Sequence, residues 1–302
     1  MEQQHGLLVV DKPRGLSSAQ CANRLKRLGQ RKIGHAGTLD PMATGVLLIL
    51  LGHATKISGH LMAGGVKVYR GTLRLGQSTD TWDAEGEVVA ESPWEDVTED
   101  AVVALVSGWV GRSEQRVPPY SAAKHEGRPL YRLARAGETV PEKTKTIDIA
   151  RAEVLRMALP DVTFRVVCGS GTYIRSLAHS LGMRLGCGAV LTELIREYSH
   201  PFGLDRATPL EAILDEPDRL PERVLPVTAA LPHWPALTLT GREAAAVMNG
   251  GALRRLPLPG DAVADKAVLL APDGAPLALA SAGESPAGPV WTVLRGLWSN
   301  QG

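Results

Sequence analysis

Gly34-His35-Ala36-Gly37-Thr38-Leu39-Asp40-Pro41-Met42-Ala43-Thr44-Gly45-Val46-Leu47 is the stretch on which the reading of this chain turns. Glycines and a proline punctuate residues 34 to 41 into a loop. From Val46 to Leu51 the chain is unbroken and apolar between Gly45 and Gly52, the pattern of a fully buried strand. Asp40, taken alone, reads as a turn or cap residue ahead of Pro41. Its surroundings argue for more. Between Lys12 and Arg74 stand eleven bases (Lys12, Arg14, Arg24, Lys26, Arg27, Arg31, Lys32, Lys56, Lys67, Arg70, Arg74) and a single acid, Asp40, although the whole chain has 33 Lys and Arg against 32 Asp and Glu. A segregated basic stretch is the footprint of a polyanion binder, since phosphate contacts supply most non-specific affinity; the bland alternative is a solvated basic face.

Moving outward, 302 residues exceed what one core comfortably holds, about 250 to 300, so two domains are expected. A chain that is 44% hydrophobic and 22% charged is an ordinary globular protein, not a disordered or fibrous one. Val46 to Leu51 falls far short of the ~20 apolar residues that cross a bilayer, and Met1 to Leu8 lacks the basic start of a secretion signal. A cytoplasmic protein is the expectation. Cys21, Cys168 and Cys187 have no C-x-x-C spacing and read as reduced, packed thiols. In the acidic loop Gly76 to Gly86, Asp80, Asp83 and Glu85 are out of phase with a calcium loop, so no metal is expected.

Gly6 to Pro13 reads as a short buried strand ending in a turn, followed by a helix capped by Ser17 or Ser18 and running through Cys21, Leu25 and Leu28. Val66 to Leu75 alternates as a strand, Thr98 to Trp109 as a helix, and Pro129 to Gly137 as a helix with Pro near its start and Gly past its end. Ile147 to Met157 and Val162 to Cys168 read as paired strands. From Gly171 onward a helix carries Tyr173 and Arg175 in its first turn, where a cation opposes the helix dipole; Arg175 should therefore meet a carboxylate from elsewhere. Leu220 to Trp234 looks like a Pro-rich linker, and the short strands Ala267 to Leu270, Leu277 to Ala280 and Val290 to Leu294 suggest a small β domain.

The opening motif resembles the core motif of the TruB family of pseudouridine synthases, departing at Ala36 and Met42. Three further blocks, Asp11-Lys12-Pro13-x-Gly15-x-Ser17, Pro118-Pro119-x-Ser121-Ala122-x-Lys124 leading to Leu130-Tyr131, and Gly171-Thr172-Tyr173-Ile174-Arg175, resemble the same family in order and spacing. The resemblance covers residues 6 to 205 closely and the tail by type. It implies an α+β fold: a mixed, largely antiparallel sheet split by the active-site cleft, with flanking helices. Residues 1–230 would be the catalytic domain, with a thumb-like insertion at 117–145 that clasps RNA, and 231–302 a PUA-like β domain.

The resemblance also implies roles for seven residues. Asp40 would be the catalytic carboxylate, held charged by Arg175. Tyr69 would stack on the target base, Tyr173 would serve proton transfer at C5, and Leu194 would line the base pocket. His35 would wedge into the RNA loop, and Lys12 would support the active-site loop. Without the family these read as a strand Tyr, the first core residue of a helix, a core Leu at helical spacing, an exposed loop His and a turn Lys. The implied reaction converts one uridine of the tRNA T-loop, position 55, to pseudouridine with no cofactor. The implied partner is the T-arm of tRNA, with no membrane, no protein partner and a monomeric enzyme. The alternatives are a guide-RNA-dependent rRNA synthase on the same scaffold, or a tRNA-folding chaperone with dispensable catalysis. Two departures from the family pattern, Ser170 and Ile195 where Lys and Arg are usual, with Glu197 close by, remove positive charge expected to lie near the RNA.

Overall fold

Strand Thr44–Leu51 explains its own composition, because it is sandwiched between two cores. In a computed structural model, which describes residues 2–255, 264–286 and 288–298, Leu47, Ile49 and Leu51 face a core shared with helices Ser18–Lys26, Glu99–Ser107 and Ile174–Leu185. Val46, Leu48 and Leu50 face a second core that includes Val268 and Leu279 of the C-terminal sheet and Leu297 just past its last strand. Side chains alternate across a strand, so only a continuous apolar run satisfies both faces.

Around it forms a 10-stranded sheet. Its main order runs Thr208–Pro209, Gly6–Lys12, Thr44–Leu51, Ala189–Ser199, Lys67–Leu75, Asp161–Cys168, Thr144–Ala158 and Gly111–Arg116. Neighbours are antiparallel except at Val10↔Thr208 and where Ala189–Ser199 meets Thr44–Leu51. That second parallel contact is only Ile195↔Thr44 and Arg196↔Gly45. The loop that carries Asp40 leads into that joint at Thr44. Gly45 makes the close approach possible: its φ is +96°, and a Cβ would collide with the Arg196 backbone. The α+β fold, mixed and mostly antiparallel, is as expected.

Helix Ser18–Lys26 starts with a capping box in which the Ser17 hydroxyl accepts from Gln20 N while the Gln20 side chain accepts from Ser17 N. Thr98 caps Glu99–Ser107. Pro129 is the cap of Leu130–Arg135 rather than its first residue. Between residues 117 and 145 the hairpin Lys124–His125 with Arg128–Pro129 and this helix rest on a small core of Val117, Leu130 and Leu133, against which Tyr173 packs.

Three readings need correction. Ile33–Ala36 is a strand paired to Thr44–Leu51, so His35 sits opposite Ile49 and not in a loop; the strand partner lies beyond Asp40, outside any local window. Leu194 is on a strand, Ala189–Ser199, not a helix. The Pro-rich segment near 220–234 is packed: Leu220, Val227, Ala230 and Leu231 are buried, and Leu7 N donates to Leu225 O at 2.8 Å while Leu225 N returns a bond to Leu7 O.

The C-terminal sheet has five strands in the order Ala236–Thr238, Lys266–Leu270, Pro276–Ser285, Gly288–Gly296 and Leu253–Arg254. Helix Gly241–Met248 packs on one face beside Trp291. This curled sheet fits a PUA-like module; residues 256–263, 287 and 299–302 of the expected 231–302 unit lie outside the described residues.

Candidate active site

The loop that carries Asp40 is held by two buried cations. Lys12, fully buried, donates from Nζ to the carbonyls of Pro13, Pro41 and Ala43 at 2.9, 3.2 and 2.6 Å. Arg196, also fully buried, donates from Nε to Val46 O at 2.7 Å and from Nη2 to Gly37 O at 2.9 Å. One cation therefore spans the turn just after Asp40, and the other grips the loop at both ends. Neither makes an ion pair with a carboxylate among the described residues; backbone carbonyl dipoles hold Lys12 and the Nε and Nη2 of Arg196 instead. Burial pushes the Lys12 ammonium below its usual range. Ser18 adds a third tie, its hydroxyl bonded to both Leu39 N and Leu39 O.

Helix Ile174–Leu185 brings Arg175 to the same place. Its guanidinium forms a fork on Asp40, Nε to Oδ2 at 2.9 Å and Nη2 to Oδ1 at 3.0 Å. This is the carboxylate partner that its first-turn position required. Its remaining donors go to Tyr120 O and Thr81 O, and Nη1 lies 3.4 Å from Asp83 Oδ2. Arg175 is 5% exposed against 33% for Asp40, so the pair presents its carboxylate, and not its cation, to the cleft. Asp83 is the residue that sequence reasoning missed. It is buried, accepts from the Thr81 hydroxyl and Glu85 N, and burial raises its carboxyl above the usual range despite the nearby Arg175. Its signal was an acidic loop that the calcium pattern did not explain.

Trp82, between Thr81 and Asp83, holds φ at +64°, a left-handed conformation costly for a bulky side chain. What holds it is stacking. Its ring lies parallel to His179, centroids 4.2 Å apart, and the Arg116 guanidinium sits 5.6 Å from the ring. His179 is four residues beyond Arg175, one turn along the same helix. The stack thus anchors the 81–83 segment to the helix that carries Arg175.

A cavity of about 320 Å³ opens beside Asp40, and Tyr69, Tyr173, Leu194 and Arg175 line it. Five of the seven expected residues therefore meet in one place. Burial pushes the phenols of Tyr69 and Tyr173 up, so both stay protonated at neutral pH. Gln115 fixes Tyr173 by reciprocal bonds to its N–H and carbonyl at 2.8 and 3.0 Å. Lys12 and His35 do not line the cavity. Lys12 lies beneath the loop, as a support should; His35 is half-buried on its strand, its pKa lowered by burial and by Arg196. Of the two departures, Ser170 lines the cavity, whereas Ile195 lines a separate hollow with Arg70 and Thr72, on the other face of the sheet. Glu197, on that face too, is bound by Arg165 and Arg70. The missing charge at 195 therefore lies away from the cleft, because strand alternation turns that side chain to the opposite face.

Residues 25–174 match the model of the TruB family pseudouridylate synthase N-terminal domain. A relative from Nitratidesulfovibrio vulgaris, named tRNA pseudouridine synthase B, is 65% identical over 98% of this chain and 98% of its own length. The chain belongs to the TruB family of pseudouridine synthases. A relative from Oleidesulfovibrio alaskensis with the same name is 59% identical over 99% of this chain and 98% of its own. Among solved structures, a chain of a Cbf5-Nop10-Gar1 complex superposes with a TM-score of 0.71 at 26% identity, covering 98% of this chain and 85% of that one.

Proposed function

We propose that this TruB-family enzyme isomerises uridine to pseudouridine at position 55 in the T-loop of tRNA, with Asp40 as its catalytic carboxylate. The observation that carries the reading is the forked Arg175–Asp40 pair at the wall of a cavity lined by two tyrosines and Leu194. The reaction breaks the bond from uracil N1 to ribose C1′, turns the base and joins C5 to C1′; the C5 proton is released to solvent and N1 takes up a proton in its place. Atoms and oxidation state are conserved, so no redox partner enters. The target atoms are buried in an RNA stack, and the nucleotide must be extruded at a cost of a few kcal/mol, least for a loop nucleotide. Tyr69 supplies a stacking face, and Leu194 an apolar edge, for the extruded base. Tyr173 relays the C5 proton, its backbone held by Gln115.

The enzyme is taken to act on the T-arm as a monomer, without a protein partner. No helix among the described residues is long and apolar enough to cross a membrane, which is compatible with a cytoplasmic enzyme. The test is Asp40→Asn with tRNA labelled as 5-³H-uridine. Tritium release is expected to vanish while tRNA binding stays within a few-fold of wild type; full release by the variant refutes the assignment.

A further inference from the structure

The cavity has a second end with chemistry of its own. Lys67, only 7% exposed, points its ammonium at the Ser170 hydroxyl, 2.6 Å away. Arg196 lies beside it: a Cβ built on Gly37 would stand 3.4 Å from Arg196 Nη1 and 3.5 Å from Lys67 Cε. Arg196 Nη1 is itself buried with no hydrogen-bond partner. Lys145, exposed at the rim, extends its ammonium over Gly171, where any Cβ would collide with it. Three cations thus crowd one end of the cavity, and none forms an ion pair among the described residues. Burial first, then the Arg196 and Lys145 charges, push the Lys67 ammonium down to about 8.

The backbone at the same spot is also built for an anion. Gly169-Ser170-Gly171-Thr172 turns with Gly171 at φ +84°. Among the described residues the N–H groups of Ser170 and Gly171 donate to no backbone or side-chain acceptor, while Thr172 closes the turn on Gly169 O, to which its hydroxyl donates at 3.1 Å. Consecutive free N–H groups around a left-handed residue form a concavity that holds anionic oxygens. Unpaired cations packed together cost the free protein stability and are relieved by a bound anion.

We propose that Lys67, Lys145, Ser170 and the 169–172 turn form a subsite for one phosphodiester of the RNA, the one next to the extruded uridine. This rests on the pseudouridine-synthase reading and adds to it what sets the depth of insertion. The base and C1′ enter toward Asp40; the backbone of the same nucleotide stays at the rim, where Lys145 closes on it and Lys67 reaches it from inside. Lys67 and Lys145 carry the charge and Ser170 orients Lys67, while Arg196 keeps its place against the loop carbonyls and adds positive potential from behind.

The test uses T-arm stem-loops in which either phosphodiester flanking the target uridine is replaced by a neutral methylphosphonate. Binding at several salt concentrations and tritium release at saturating RNA are measured for wild type, Lys67→Met, Lys67→Arg and Lys145→Ala. One neutral linkage is expected to weaken wild type roughly ten-fold, the scale of a charge-assisted hydrogen bond. The same linkage should cost Lys67→Met and Lys145→Ala much less. In Lys67→Met the slope of log affinity against log salt should flatten by about 0.7, one contact to single-stranded RNA. Lys67→Arg should keep most of the affinity, and the Tm of free Lys67→Met should not fall. If Lys67→Met does not fold, Lys145→Ala, an exposed substitution, carries the same comparison. Equal losses from both neutral linkages in wild type and variants would overturn the subsite. Wild type that binds RNA without releasing tritium would overturn the reaction instead, and the subsite would still be decided by binding.

Discussion

At the scale of the residue, Arg175 shows how position demands a partner. A cation in the first turn of a helix is opposed by the helix dipole, and two carboxylates, Asp40 and Asp83, answer it. Asp40 was legible because it stood alone among bases inside a motif. Asp83 was not, because what marks it is burial and a contact with a side chain 92 positions away, neither of which local composition carries. Lys67 was equally hidden. It faces Arg196 from strand Ala189–Ser199, Lys145 from Thr144–Ala158 and Cys168 from Asp161–Cys168, and only the assembled sheet puts these together. Its ammonium, lowered from 10.5 to about 8, has a testable consequence. KM for RNA should be flat up to pH 7.5 and rise above pH 8 in wild type, while Lys67→Arg stays flat over the same range. In the free protein the sign reverses. The unfolded chain holds this proton up to about 10.5 and the folded one only to about 8, so folding stability relative to Lys67→Met should rise with pH between those values. Titrations of KM and of urea midpoints against pH check both directions.

At the scale of the element, the segment 81–83 has a conformation that works against its own sequence. Trp82 in the left-handed region costs on the order of 1 to 3 kcal/mol, offset by its stack on His179 and the guanidinium of Arg116. Thr81 O and Asp83 reach Arg175 only while that stack holds. Trp82→Ala keeps the strain and loses the stack. Urea unfolding should show a loss of about 3 kcal/mol, in the range for removing a buried aromatic ring. Single-turnover tritium release should slow while the RNA dissociation constant stays within two-fold. A fall in affinity with an unchanged rate would show that the segment serves RNA binding instead. Elements with strong local signals, such as the helix capped at Ser17 or Ser18 and the continuous apolar run Val46 to Leu51, appeared where the sequence placed them, the cap being Ser17 and the strand starting two residues earlier at Thr44. Ile33–Ala36 did not, since its strand character comes from pairing with Thr44–Leu51 across the Asp40 turn.

At the scale of the molecule, the basic stretch of residues 12–74 is not one exposed face. Lys12 is buried, Arg24 pairs with Glu211, Arg70 with Glu197 and Arg74 with Asp161, and Lys56 donates to the carbonyls of Gly296 and Trp298 at 2.8 and 2.7 Å. Charge segregated along the chain is redistributed by folding, and a part of it joins the two sheets. Their shared core, with Leu279 and Val268 in one cluster with Leu48 and Leu50, couples them, and they are expected to melt as one unit. Calorimetry should show a single transition, and Leu279→Ala should lower it for both sheets together, at a cost of about 2 to 5 kcal/mol. Two separated transitions, with the first alone shifted, would contradict this coupling. By itself the sequence marked the strand at the centre, the isolated carboxylate Asp40 and the need of Arg175 for an acid, because periodicity, isolation in charge and helix position are local or compositional; the fold class came from the resemblance of its motifs to a family. Only the tertiary structure decided which acids answer it, which cations line the cavity, and that Ser170 faces the cavity while Ile195 lies on the other face of the sheet. Those depend on burial and on strand neighbours far apart in the chain, and a strand's alternation sends adjacent residues to opposite faces.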